Sequence, residues 1–156
     1  MANYLLKLIA LVGCLFVLES RHAVSDTTFP QSEILIVSKS GEHKFVVDVA
    51  TTMAQRQMGL MYREKMARNS GMMFDFGEEQ LIAMWMKNTL IPLDMLFVDK
   101  TGKIVQIERA TTPLSLETIA GRRPAMSVIE LNAGLTEELG ISEGDQVMHN
   151  IFFREE

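Results

Sequence analysis

The sequence predicts a mainly β protein, a compact jelly-roll-like β-sandwich or barrel with one or two short helices. Seven or eight short apolar runs of strand length follow one another at near-regular spacing, with turn residues between them. Helical features are too few to cover both faces of a parallel sheet. The chain has 156 residues, 47% of them hydrophobic, which suits one domain with a sizeable core. We assign residues 34–156 to that single β-rich domain.

The predicted strands are rich in β-branched and aromatic residues and are bounded by turn signals. The segment Asp99–Gly102 has the composition of a tight turn and predicts a hairpin between its two flanking runs. In chain order the predicted strands are Ile34–Ser38, His43–Ala50, Met72–Phe76, Leu81–Lys87, Asp94–Asp99, Lys103–Ala110, Val128–Asn132 and Gln146–Phe153.

Two segments predict short helices. Thr52 and Gln55 have the spacing of a capping box, in which each side chain satisfies a backbone N–H of the other residue. A second helix of one or two turns is predicted over residues 134–139, ended by Gly140 in a left-handed conformation with Ile141 packing back. Apolar residues at helical spacing predict that the first helix buries Ala54, Met58 and Met61.

The first residues have the pattern of a secretory signal peptide. Lys7 precedes an uncharged run over residues 8–18, which is too short to cross ~30 Å of hydrocarbon as a helix. The small residues of Ala23–Ser25 then suit a cleavage site. We therefore predict a signal peptide over residues 1–25 and a flexible lead-in over residues 26–33.

Signal removal would leave a mature chain without cysteine, because Cys14 is the only one. Such a chain has no disulfide, no thiol nucleophile and no thiolate metal site. We expect an exported protein, periplasmic or secreted, with no membrane contact after cleavage. A retained membrane anchor and a lipidated Cys14 are the alternatives. A lipidated cysteine normally ends the apolar run, whereas here the run continues past Cys14 to residue 18.

Composition and motifs exclude several function classes. The net charge of −5 argues against a nucleic-acid partner, because phosphate binding needs a concentrated basic face. No P-loop, dinucleotide-binding glycine motif, zinc-protease motif or nucleophile elbow is present. The sequence thus predicts no cofactor and no metal site. An enzyme stays open, because catalytic groups are recognised by geometry rather than by spacing.

Six segments between Val46 and Val147 carry a family resemblance. They are GLMYR (Gly59–Arg63), GMMF (Gly71–Phe74), MWMKNT (Met84–Thr89), PLDMLF (Pro92–Phe97), IELNAG (Ile129–Gly134) and the segment Gly140–Val147. Together they closely resemble the family catalogued as domain of unknown function 192. Met84 is a departure, since family members often carry an aromatic residue there. The resemblance implies a jelly-roll-like β fold, frequently exported in bacteria, and it implies no activity.

The candidate site centres on Trp85 and Lys87, which the predicted strand places on one face, with Met84 and Met86 on the other. On a partly buried face Lys87 needs an anionic partner, because an unpaired buried ammonium costs several kcal/mol. Asp94 is the nearest candidate, and Glu130 in another apolar run is the second. A buried Lys87–Asp94 pair that fixes the turn through Pro92 would be structural.

The functional interpretation is a cleft in which Trp85 stacks on a ligand while basic and amide groups bind an anionic or hydroxyl-rich group. We therefore predict a non-catalytic domain that binds a small polar or anionic ligand, or a protein partner, through the Trp85–Asp94 edge. The rival is an enzyme with Lys87 as base and Asp94 or Glu130 as its orienting group. The predicted site residues are Arg63, Trp85, Lys87, Asn88, Asp94 and Glu130.

A third hypothesis is an exported copper(I) carrier that uses methionine and histidine. Close methionine pairs such as Met58/Met61 and Met84/Met86 would suit a soft metal ion. Methionine is also an ordinary filler of core gaps, and the adjacent Met72 and Met73 point to opposite faces of a strand. Core packing is therefore favoured over ligation.

The signal peptide gives the first testable prediction. Intact-mass measurement of the protein recovered from the exporting cell should show loss of about 25 residues and no attached lipid. Recovery of a full-length, membrane-bound chain would contradict it.

Overall fold

The computed structural model describes residues 28–153, so the predicted signal peptide lies outside the described residues. No helix within this range is long and apolar enough to cross a membrane. The range forms nine strands and two short α-helices, followed by a 3₁₀ turn over Asn150–Phe153. The elements are β1 (Gln31–Ser38), β2 (Gly41–Ala50), α1 (Met53–Met58), β3 (Ser70–Gln80), β4 (Ala83–Met84), β5 (Leu93–Val98), β6 (Ile104–Glu108), β7 (Ile119–Ala120), β8 (Ala125–Asn132), α2 (Leu135–Glu138) and β9 (Gln146–Met148).

Seven of these strands form one sheet in the order β6-β5-β8-β3-β2-β1-β9, curled into a half-barrel. The strands β4 and β7 pair separately as a small antiparallel ribbon. Neighbours in the large sheet run antiparallel except β2 and β3, which are parallel and are joined by a crossover that contains α1. The prediction of a mainly β, barrel-like fold with one or two short helices is confirmed.

Apolar clusters cover both faces of the sheet, which explains why every residue of β5 is buried. One cluster packs Met73 and Ile129 against Leu135 of α2 and Phe152 of the C-terminal turn. The other lies on the opposite face, around Met72. Met72 and Met73 therefore point to opposite faces, as the strand period predicts. The second cluster is covered by short segments instead of a long helix.

The capping box of α1 forms as predicted. Gln55 N–H donates to the Thr52 hydroxyl over 3.2 Å, and Thr52 N–H donates to the Gln55 side-chain oxygen over 3.0 Å. The prediction that this helix buries Ala54 and Met58, with Met61 following, is wrong, because none of its residues is buried. The helix ends at Met58, and Gly59, at φ 48°, turns the chain away. Only the residues after the helix reach the core.

Three predicted strands are shorter than expected, and the mildest case is Lys103–Ala110, which is trimmed at both ends to β6. The predicted strand Leu81–Lys87 is reduced to β4, because Met86 N–H donates to Ser115 O and Asn88, at φ 55°, reverses the chain. The predicted strand Gln146–Phe153 keeps only β9 before the 3₁₀ turn. At the other end, β1 starts at Gln31, so the last residues of the predicted lead-in belong to the sheet.

The predicted turns are present. The Asp99 carboxylate accepts hydrogen bonds from the N–H groups of Thr101 and Lys103, over 2.9 and 3.0 Å, which closes the β5–β6 hairpin. After α2, Gly140 adopts φ 65° and the N–H of the buried Ile141 donates to Thr136 O over 2.8 Å. Both predictions depended on hydrogen bonds between residues close in sequence, which form in the same way in the folded protein.

Candidate functional site

A cavity of about 390 Å³ lies on the face of the sheet that short segments cover. Small-molecule sites usually measure ~300–1,000 Å³ and are lined mainly by apolar side chains. Four residues of α1 border it, three of them at i, i+3 and i+4 spacing, so the helix faces the cavity instead of the core. The lining residues are Met53, Arg56, Gln57, Met58, Gly59, Leu60, Met61, Phe74, Phe76, Gln80, Ala83, Met84, Trp85, Lys87, Thr89 and Glu130.

Glu130, on the central strand β8, is the one carboxyl group among the residues that line this cavity. Its cross-strand neighbours are Met72 on β3 and Met95 on β5, so a thioether side chain flanks it on each side. The side chain is only 4% exposed, and it forms no hydrogen bond or ion pair with any residue in 28–153. Burial raises the pKa of the Glu130 carboxyl to about 8.

The mouth of the cavity carries two cations, each held over an aromatic ring. Lys87 Nζ lies 5.1 Å from the centroid of the Trp85 ring, and the Arg56 guanidinium lies 5.1 Å from that of Phe76. Arg56 Nη1 also donates to Asp75 O over 2.9 Å, which fixes its position. Trp85 is 47% exposed, so much of its surface is open to solvent. The mouth therefore combines positive charge with accessible aromatic surface.

A pair of hydrogen bonds clasps the two segments that form the cavity walls. Tyr62 N–H donates to Asn88 O over 2.8 Å, and Asn88 Nδ2 donates to the Tyr62 hydroxyl over 2.9 Å. Both residues have left-handed backbone, with φ of 64° and 55°. Such geometry costs a bulky residue such as Tyr62 about 1–2 kcal/mol, whereas asparagine tolerates it. We call these two residues the clasp.

The structure brings together three of the six predicted site residues. Trp85, Lys87 and Glu130 line the cavity. Asn88 belongs to the clasp and does not line the cavity, while Arg63 forms an ion pair with Asp48.

The proposed Lys87–Asp94 pair does not form. Asp94 is fully buried and accepts hydrogen bonds from Ala110 N–H over 2.9 Å and from Thr136 N–H and Oγ1 over 3.0 and 2.7 Å. Lys87 is exposed on a loop, because the strand that was expected to carry it ends at Met84. The predicted division of faces fails for the same reason, since Met84, Trp85 and Lys87 border one cavity.

The methionines separate into two groups. Met72, Met73 and Met86 are core residues, as predicted. Met58 and Met61 line the cavity together with Met53, which corrects the expectation that Met58 and Met61 fill the core. Met84 lines the cavity too, but it is partly buried and packs against the second core cluster. Neither histidine nor cysteine is present in the lining. Across residues 28–153, no group of three or more His, Cys, Asp or Glu side chains could hold a metal ion.

Sequence reasoning missed Arg56 and Phe76, which form the second cation–aromatic pair at the mouth. The capping box sets the phase of α1 and so places Met53, Arg56 and Gln57 on one face of the helix. That signal could have identified Arg56. Nothing in the local sequence indicates that Phe76, far along β3, lies beneath it.

Comparison with known proteins identifies one matching family and two similar solved structures. The profile of the domain of unknown function 192 family, described as "Uncharacterized ACR", matches residues 35–149. A Sinorhizobium meliloti 1021 protein, provisionally described as a transcription regulator, is 41% identical, with 81% of this chain and 98% of that chain covered at a TM-score of 0.78. A Novosphingobium aromaticivorans DSM 12444 protein of unknown function is 32% identical, with 82% of this chain and 90% of that chain covered at a TM-score of 0.76. No curated protein matches the chain.

Asp94 and Lys87 are expected to be energetically independent. Asp94→Ala should destabilise the fold by about 3–5 kcal/mol, because it leaves buried donors unpaired. Lys87→Met should cost less than about 1 kcal/mol, since the ammonium is exposed and forms no ion pair in the described chain. A double-mutant cycle by urea unfolding should give a coupling near zero. Coupling above about 2 kcal/mol would contradict the structure.

Glu130 should make stability fall as pH rises. Its pKa is about 8 in the fold and 4.5 by its ordinary value, so between these pH values only the unfolded chain loses the proton. Unfolding then releases a proton and is favoured by rising pH. We expect this group to lower the free energy of unfolding by roughly 2–4 kcal/mol from pH 5 to pH 8, since one pKa unit is worth about 1.4 kcal/mol.

The matched variant is Glu130→Gln, which keeps the shape and removes the ionisation. Urea unfolding of both proteins across this range should show curves that diverge as pH rises, with the variant more stable at pH 8. Parallel curves would show that the Glu130 carboxyl is hydrated or paired.

Proposed function

The chain belongs to the domain of unknown function 192 family, and we propose that it is a non-catalytic protein that binds a small organic anion with an apolar body in the cavity between α1 and β8. The observation that carries this proposal is the unpartnered, buried Glu130 carboxyl at the edge of an open cavity. A polar group that costs the fold stability and borders a cavity is typical of a binding site.

The cavity walls support an apolar ligand body. Four methionine side chains, Met53, Met58, Met61 and Met84, provide surface that adapts to the shape of a ligand. Phe74 and Trp85 add flat aromatic surface.

The mouth supports a negative charge on the ligand. Lys87 and Arg56 both border the cavity, and neither forms an ion pair with a carboxylate in residues 28–153. An anionic group placed between them would gain two favourable interactions without displacing an internal partner.

Binding is favoured over catalysis. Asp94, one of the two groups considered as partners of a catalytic Lys87, is bound elsewhere to Thr136. Glu130 borders the same cavity as Lys87, yet no hydrogen bond or ion pair connects them. A nucleophile or base is normally activated by such a contact.

A copper(I) site is the second candidate, favoured by the four thioethers in the lining. It ranks lower because the same lining contains no histidine or cysteine to strengthen the ligand set.

We further propose that the protein is exported after removal of residues 1–25, which is supported by the sequence pattern of that segment. We do not extend the description of the Sinorhizobium meliloti protein to this chain, because a net charge of −5 is unfavourable for binding nucleic acid.

The test uses 8-anilinonaphthalene-1-sulfonate, an aromatic anion, as the probe. Trp85 is the only tryptophan of the chain, so energy transfer from it to the bound probe reports occupancy of the cavity. Lys87→Glu should weaken binding by about 10-fold, because it places a negative charge at the mouth.

The matched control is Lys39→Glu, which makes the same change of net charge at an exposed residue outside the cavity lining. It should bind the probe as the unchanged protein does. Equal affinity for all three proteins, or no energy transfer from Trp85, would refute the cavity as the binding site.

A further inference from the structure

We propose that Glu130 binds the ligand as the protonated acid, with its carboxyl O–H donating a hydrogen bond to a carbonyl oxygen at the end of the ligand that enters the cavity. This inference rests on the proposed function and narrows the ligand class. The ligand is an organic anion with its charge at one end, an aromatic or aliphatic body, and an uncharged carbonyl at the opposite end.

The surroundings of Glu130 favour the protonated form. The flanking thioethers of Met72 and Met95 offer no strong hydrogen-bond donor to a carboxylate. No side chain in the described chain pairs with it, so an ionised carboxylate there would lose its hydration without compensation. The pKa of about 8 agrees with this geometry and leaves the acid mostly protonated near neutral pH.

Charged groups lie on both sides of this position. In the cross-strand row through Glu130, Asp48 of β2 lies beyond Met72 and Glu108 of β6 lies beyond Met95. Asp48 is compensated by its ion pair with Arg63. Neither carboxylate is adjacent to Glu130, since a methionine lies between in each direction, and burial is the cause of the raised Glu130 pKa.

The two cations face the cavity from its other elements, Arg56 from α1 and Lys87 from the segment after β4. Each cation is held over an aromatic ring at the mouth, and Arg56 also donates to Asp75 O. They are therefore positioned for the charged end of the ligand, while the carboxyl meets its inner end.

The same arrangement disfavours the other ligand classes. A cationic inner end would have to pass Lys87 and Arg56 and would require Glu130 to ionise. An inner carboxylate would have to give up the hydration of its own charge beside the apolar walls, with no cation at that end of the cavity to compensate it. A purely apolar inner end would leave the carboxyl O–H unpaired, which forfeits the hydrogen bond.

The experiment compares two probes that differ in one group, 4-acetylbenzenesulfonate and 4-ethylbenzenesulfonate. Both carry the anion and the aromatic body, but only the first has a carbonyl at the opposite end. At pH 6 we expect the acetyl probe to bind about 5- to 10-fold more tightly, as one buried hydrogen bond implies. At pH 9.5, where Glu130 is ionised, this preference should disappear.

Two variants assign the effect to Glu130. Glu130→Gln keeps a donor that does not ionise, so the acetyl preference should persist at both pH values. Glu130→Leu has no donor, so the preference should be absent at both. The Gln variant keeps the test decisive if the Leu variant fails to fold.

The outcomes separate this inference from the proposed function. Equal, pH-independent binding of both probes, still weakened by Lys87→Glu, would overturn the role of Glu130 and leave the cavity as a binding site. Binding of the naphthalene probe alone would refute the carbonyl-bearing class. If no probe binds and Trp85 does not respond, the proposed function and this inference both fail. A pH-dependent preference that persists in Glu130→Leu would assign the effect to another group and overturn the inference.

Discussion

Both faces of the sheet are covered, so an acidic side chain on an inner strand is buried instead of solvated. The candidate site depends on this burial. The strand β8 runs through the middle of the seven-stranded sheet between β3 and β5. At Glu130 it directs a carboxyl to the face covered only by α1 and short segments. The cavity lies between that cover and the sheet. Glu130 borders the cavity, and the thioethers of Met72 and Met95 lie on either side of Glu130.

Two buried acids on neighbouring strands, Asp94 on β5 and Glu130 on β8, differ in their partners. Asp94 accepts three hydrogen bonds, which tie β5 to the segment after β6 and to α2, and its burial is thereby compensated. Glu130 has no such partners in the described chain. Burial alone therefore does not distinguish these two acids, whereas the number of hydrogen bonds that each accepts does.

Features encoded over a few residues could be predicted from the sequence. The capping box at Thr52, the hairpin at Asp99 and the helix end at Gly140 depend on contacts between near neighbours, and all three form. The apolar neighbours Ile129 and Leu131 also predicted that Glu130 lies in a core strand. The error at Lys87 arose because the strand period was extended past Met84, where a hydrogen bond from Met86 to Ser115 ends the regular structure. Such a bond joins distant segments and leaves no local signal.

The clasp also has a mechanical consequence. Tyr62 and Asn88 join two segments that both lie outside the seven-stranded sheet, and both residues have left-handed backbone. Separating these two segments would require both hydrogen bonds to break, together with the contact from Asn88 Nδ2 to Met61 Sδ over 3.8 Å. The sheet behind them would keep its ladder throughout. The strand that carries Glu130 is thus held by the sheet ladder on both sides, whereas a few hydrogen bonds join the two segments in front of it.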